Sequence, residues 1–172
     1  MSFDLFPNMP PKIIELEQRT PEWHAWRRGE DLPDGGPRIT ASMVPQIIGV
    51  SPWGNAYDLW MELTGRKAGK VSNRAMQRGI DLEPLARAAY TAQTGIEVRD
   101  ICVEHPTVPW IAASLDGYSL FGDTLVEIKC PGAADHATAL LNQVPGKYVP
   151  QTQWQLLACP NAQANHYWSY DG

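Results

Sequence analysis

The spacing of apolar positions changes several times along this chain, and each change marks an element. Leu125-Val126-Glu127-Ile128-Lys129 is a short β-branched run between a turn at Gly122-Asp123 and a stop at Cys130-Pro131-Gly132, which predicts a strand. Trp110-Ile111-Ala112-Ala113-Ser114 predicts another, delivering Asp116 at a Leu-Asp-Gly turn, and Ala164 to Tyr170 alternates like a final strand. Helical spacing fills most of the rest. Thr20-Pro21-Glu22 is a helix start with Thr20 as N-cap, and the helix carries Trp23, Trp26 and Arg27 on neighbouring turns. Ser42 to Ile48 predicts a helix opened by the hydroxyl of Thr40 or Ser42 and ending near Gly49. Ala56 to Thr64 predicts another, with Leu59, Trp60 and Leu63 as its core stripe. The longest helical stretch runs from Ser72 to Gln93, where Pro84 implies either a kink or a new start. Ala133 to Leu141 and Tyr148 to Cys159 complete the helices, the latter with Gln151 and Gln155 one turn apart on a common face.

This order of elements predicts an α/β fold: a small twisted mixed sheet, built from about residues 96–129 plus 164–170 and flanked by helices. Residues 1–19 read as an extended, Pro-containing lead-in, and residues 30–37 as a loop. With 172 residues and 44% hydrophobic content, one domain spanning 1–172 has enough chain for a core. The cysteines Cys102, Cys130 and Cys159 lie far apart with no CxxC, which argues against a zinc site or a disulfide framework and fits a reducing cytoplasm. No signal peptide or long apolar span is evident.

The candidate chemistry lies in the predicted strands. Glu127 and Lys129 are two apart, so they share a face with Cα atoms roughly 6.5 Å apart, while Val126 and Ile128 face the core. If the strands at 110–114 and 125–129 form a hairpin, Asp116 comes close to Glu127, and the two carboxylates can share one Mg²⁺ or Mn²⁺, hard cations that prefer oxygen. Phosphodiester cleavage needs that arrangement together with a positive charge beside the attacked phosphate, which Lys129 supplies. Taken alone, the pattern also suits a solvated ion pair on an edge strand, with Asp116 as a turn former.

Neighbouring segments decide between these. Ser114-Leu115-Asp116-Gly117 and Val126-Glu127-Ile128-Lys129-Cys130-Pro131 resemble the catalytic core of the PD-(D/E)XK nucleases, in the phage lambda exonuclease or YqaJ-type recombination branch. Trp23 to Gly29, Arg38 to Ser42, Gly79 to Glu83, and Tyr148 to Gln153 fit that branch in the same order. The resemblance implies a restriction-endonuclease-like core and a 5′→3′ exonuclease that degrades one strand of linear duplex DNA to 5′-mononucleotides, leaving a 3′ overhang for recombination. It implies one or two Mg²⁺ ions per site, with Mn²⁺ as a substitute, on Asp116, Glu127 and the Ile128 carbonyl. Glu83 would complete the acidic cluster and orient the attacking water, and Lys129 would stabilise or deprotonate that water. Gln151 would sit at the scissile phosphate, with Gln153 second. Arg27, favoured over Arg28, and Ser42 would hold the 5′-terminal phosphate of the DNA, and Ser114 falls in the same binding set.

Bland alternatives exist for two of these residues: a surface ion pair of Arg27 with Glu22 or Glu30, and an i,i+4 pair of Glu83 with Arg87. The resemblance further implies a homotrimeric ring around DNA, a phage-type single-strand annealing protein as partner, and action in the cytoplasm of a bacterium carrying the phage or prophage. Relatives usually pass almost directly from the arginine-glycine pair to the Ile-Thr-Ala-Ser segment, so the acidic loop at 30–37 looks like an insertion. They also usually continue beyond the last strand, so C-terminal elements are expected to be missing here. A site-specific endonuclease would use the same core, and a DNA-end binder without activity would be expected to have lost an acidic or lysine position.

Charge adds a constraint. A net charge of −5 is awkward for a DNA-gripping protein, so any grip must be local. Two basic tracks are available: Arg27, Arg28 and Arg38, then Arg66, Lys67, Lys70, Arg74 and Arg78. The second reads equally well as a solvated face.

Overall fold

A computed structural model describes residues 9–68 and 73–172. Strands β1 (Lys12–Ile14), β3 (Val98–Glu104), β4 (Ile111–Ser119), β5 (Thr124–Lys129) and β6 (Ala164–Ser169) form one mixed sheet in the order β1-β3-β4-β5-β6, and β2 (Ile39–Thr40) also pairs with β4. Short turns join β3, β4 and β5, so these pair antiparallel. The link from β5 to β6 carries two helices, α5 (Ala133–Leu140) and α6 (Val149–Ala158), and this crossover gives parallel pairing. The fold is the mixed α/β sheet with flanking helices expected from the sequence. The expected lead-in differs in one respect: Lys12–Ile14 is a sheet strand, pairing antiparallel with β3.

Alternation along β5 sends its side chains to opposite layers. Val126 and Ile128 pack on Ala86 and Tyr90 of helix α4 (Arg74–Thr94), and Leu125 packs with Ala158 and Cys159 on the other face. Helix α1 (Pro21–Arg28) opens with Thr20 accepting the Trp23 amide and ends at Gly29 in the left-handed region. It buries Trp23 and Trp26 against Cys102 and Ala112.

Several expectations are corrected. Helix α4 runs unbroken through Pro84 from an Asn73 cap, since one missing hydrogen bond among many does not outweigh packing on the sheet. The expected start at Ser72 lies outside the described residues. The 42–48 segment is a 3₁₀ turn (Ala41–Met43) running into a short helix α2 (Val44–Ile47), without a hydroxyl cap at Thr40. In α3 (Ala56–Leu63) only Leu59 is buried; Trp60 is 47% exposed beneath the Arg66 guanidinium, because one short helix presents only a single position to its neighbours.

Arg38 leaves the basic track altogether. It is 1% exposed, 2.6 Å from Glu104 and 2.6 Å from Asp31, and donates to the Trp26 carbonyl, while the Trp26 indole donates to Glu104. A guanidinium so deep is retained only when fully paired, and the acidic loop supplies Asp31 for that purpose. In the second track Lys67 is paired with Asp58, and Lys70 lies outside the described residues.

The β3–β4 register slips at a decisive place. Arg99 pairs with Tyr118 but Ile101 pairs with Leu115, so β4 carries one extra residue around Asp116-Gly117. Asp116 therefore lies inside a bulged strand rather than at a turn; Asp-Gly signals either, and only pairing decides. Gly117 is required by close approach: a Cβ there would sit 2.8 Å from Val126 Cβ and 3.0 Å from Val98 Cγ2. Gly117→Ala should cost about 1–3 kcal/mol by forcing β4 from β5, measurable by denaturant unfolding; unchanged stability would show that the bulge yields freely.

Candidate active site

Tyr118 faces Leu125 and Gly117 faces Val126; the next pair in that register, Asp116 and Glu127, is where the β4–β5 ladder stops. Beyond it the strands part, and Asp116 Oδ2 accepts the Ile128 amide at 3.0 Å, a hydrogen bond that the ladder no longer supplies. The Lys129 carbonyl accepts the Tyr170 amide on the β6 side, so by strand alternation the Ile128 carbonyl faces the β4 side with its amide.

Glu127 is fully buried, and its two oxygens have different neighbours. Oε1 accepts from Gln151 Nε2 at 2.6 Å and from the Lys129 ammonium, and Oε2 accepts from Gln155 Nε2. Asp116, Ile128, Lys129 and Gln151 line a cleft of about 710 Å³, together with Glu83, Ser42, Arg19, Trp53, Lys147 and Tyr148. Glu83 comes from α4 and accepts from Arg87 at 2.9 Å and Arg19 at 2.7 Å. Its pairing with Arg87 is thus present, on the rim of the same cleft as the acidic pair. Arg19 carries no sequence signal; it holds φ 72°, a left-handed conformation uncommon for arginine.

The remaining sequence candidates are dispersed. Ser42 is exposed and lines the cleft. Arg27 does not line the cleft; it is stacked 4.5 Å over Trp23 and donates to Thr40 at 2.9 Å, with no carboxylate paired to it among the described residues. Burial lowers the Arg27 pKa. Arg28 is exposed and pairs with Glu30. Ser114 accepts the Trp23 indole at 2.8 Å, and Gln153 points to solvent on another face of α6. The most consequential residue outside the candidate set is Gln155. Its i,i+4 relation to Gln151 was the available signal, but its burial was not readable.

The electrostatics are those of crowded carboxylates. Burial and then the Glu127 charge push Asp116 up to about 8, against the opposing pull of Lys129. Burial works against the Lys129 ammonium, yet Glu127 and Asp116 outweigh it and hold the group above the ordinary lysine range. Without a cation, Lys129 is therefore a positive charge rather than a base. Among the described residues no three His, Cys, Asp or Glu side chains form a metal cage. Asp116, Glu127 and the Ile128 carbonyl nonetheless fit a hard divalent cation, which binds through one or two carboxylates and completes its shell with water and phosphate. An unsatisfied demand for positive charge at Asp116 supports that fit. Access to Glu127 requires Lys129 to release Oε1.

A pH dependence follows. The folded, cation-free protein keeps a proton on Asp116 that the unfolded chain loses near 3.8. The associated stability is fully present below that value and is lost as pH rises through about 8. In chelator, Asp116→Asn should gain stability relative to the parent as pH rises from about 5 to about 9. Parallel denaturation curves across that range would contradict the assigned environment.

The family described as the YqaJ-like viral recombinase domain matches residues 22–162. Among curated proteins none matches. Two crystal structures of LHK-Exo superpose on most of the chain. One, in complex with dAMP, has a TM-score of 0.69 at 35% identity, and the other, described as an alkaline exonuclease from Laribacter hongkongensis, has 0.68 at 33%. Each likeness covers 88% of this chain and 74% of the other. With its family segments in order and its carboxylates meeting where two strands part, the chain belongs to the YqaJ-like viral recombinase family.

Proposed function

We propose that the protein is a Mg²⁺- or Mn²⁺-dependent 5′→3′ exodeoxyribonuclease, degrading one strand of linear double-stranded DNA to 5′-mononucleotides and leaving a 3′ overhang for phage-type recombination. The observation that carries this is the meeting of Asp116 and Glu127 across the β4–β5 fork, with Asp116, Lys129 and Gln151 lining a cleft of about 710 Å³. Membership of the family and likeness to an exonuclease support the same reading. The dAMP held by that relative is a mononucleotide, the class of product proposed.

Asp116, Glu127 and the Ile128 carbonyl would hold the cation, which supplies Lewis-acid activation of the scissile phosphate and of water. Lys129, freed from Glu127, places its ammonium beside the attacked phosphate and offsets the charge that develops there. Gln151 swings its amide from Glu127 toward a phosphate oxygen, and Glu83, anchored by Arg19 and Arg87, orients the attacking water. Ser42 and Arg27 would hold the 5′-terminal phosphate, which requires Arg27 to exchange its hydrogen bond to Thr40 for one to the phosphate. By family kinship the enzyme would encircle DNA as a homotrimer, hand its overhang to an annealing protein, and work in the cytoplasm of a phage or prophage host. Among the described residues no helix is long and apolar enough to cross a membrane.

A linear duplex labelled separately at its 5′ and 3′ ends, compared with a covalently closed circle, tests this reading. Mg²⁺-dependent release of 5′-labelled mononucleotide from the linear form alone is expected; cutting of the circle would replace the exonuclease with an endonuclease. Glu127→Gln should abolish turnover with the fold intact, and undiminished cleavage would sink the site. Arg27→Ala should erode the preference for 5′-phosphoryl over 5′-hydroxyl ends, whereas equal loss on both would remove Arg27 from phosphate recognition.

A further inference from the structure

Glu127 is itself 0% exposed, and its two oxygens are held by partners of different kinds. The Oε1 partners, Lys129 and Gln151, line the cleft and can turn to substrate; Gln155, on Oε2, does not line the cleft and is 0% exposed. If a phosphate takes up the Lys129 and Gln151 donors, the hydrogen bond from Gln155 is the one that remains on Glu127.

The direction of the Gln155 amide is dictated from outside. Asn165 Nδ2 donates to the Thr152 carbonyl at 3.0 Å and to Gln155 Oε1 at 2.7 Å. A peptide carbonyl only accepts, so it fixes which end of Asn165 faces α6. Gln155 must then present its oxygen to Asn165 and its NH₂ to Glu127. Sheet register makes the relay possible: Asn165 pairs with Leu125 and Tyr167 with Glu127, so Asn165 sits two positions along β6 on the same face as Glu127, under α6. Asn165 Oδ1 is buried without a hydrogen-bond partner, so the relay is kept although that oxygen goes unsatisfied.

We propose that Gln155, oriented by Asn165 and the Thr152 carbonyl, is a positioning residue that anchors Glu127 through Oε2 and presents Oε1 to the divalent cation. This rests on the cation-dependent reading of the site given above. The relay acts before chemistry, by keeping a buried carboxylate in one rotamer, so it should be visible in cation affinity as well as in turnover. Partners that orient a metal-ligating carboxylate in this way are worth roughly 10- to 100-fold in metal affinity.

The test is Mn²⁺ binding to the DNA-free protein, followed by titration calorimetry and by the paramagnetic resonance signal of free Mn²⁺, with cleavage measured against Mn²⁺ concentration. Gln155→Met keeps the length of the side chain and removes the donor. Asn165→Asp keeps the size and removes the donor to the Thr152 carbonyl and to Gln155 Oε1, so the Gln155 amide is no longer held with its NH₂ toward Glu127. Both variants should weaken Mn²⁺ binding about tenfold or more and move the metal midpoint of cleavage by the same factor, with activity recovering in part at saturating Mn²⁺. The double variant should be no worse than the weaker single one. Lower thermal stability with an unmoved Mn²⁺ midpoint would make the relay merely structural and overturn the proposal. If Gln155→Met fails to fold, the isosteric Asn165→Asp decides by the same readout. A parent protein that binds no Mn²⁺ and cleaves without it would instead overturn the cation-dependent reading, and the positioning role with it.

Discussion

A carboxylate removed entirely from water has to be matched by donors, and Glu127 is the point on which this structure turns. Meeting that demand draws Lys129 from its own strand, Gln151 and Gln155 from α6, and Asn165 from β6 into a single network. The network ties the crossover helix to the sheet at the place where β4 and β5 separate. Core packing on either face of β5 would hold α4 and α6 near the sheet in any case; the buried charge adds a polar tie to α6 alone.

Asp116 shows the opposite condition. The donors around Glu127 leave Asp116 with one amide and the field of a neighbouring carboxylate, and burial raises its affinity for a proton. The site is thus overmatched at one acid and undermatched at the other. Under the proposed function a divalent cation held by Asp116, Glu127 and the Ile128 carbonyl would supply the positive charge that Asp116 lacks.

A second buried charge network performs a different task. Arg38 and Glu104, both shut from solvent, join the acidic loop, α1 and the β1–β3 edge of the sheet. This explains how an acidic chain spends one of its few arginines away from DNA. Among the described residues, the positive side chains lining the cleft are Arg19, Lys129 and Lys147.

The strands at 111–119, 124–129 and 164–169, the longer helices, the Thr20 cap, and the shared face of Glu127 and Lys129 were legible in the sequence by itself, because each depends on residues a few positions apart and on the periods 2 and 3.6. The D…ExK spacing and its companion segments were also sufficient to indicate the family, since they are local words in a fixed order. What tertiary structure alone decided was which edge pairs and which groups lose water. The Asp116-Gly117 bulge depends on a partner strand; the burial of Arg38 depends on Glu104, sixty-six positions away; and the Gln155–Asn165 relay depends on a parallel register between β5 and β6. Such contacts join distant positions whose residue types are individually ordinary. Desolvation, which sets the strength of every charge in this site, is a property of the packed volume and has no counterpart in the linear chain.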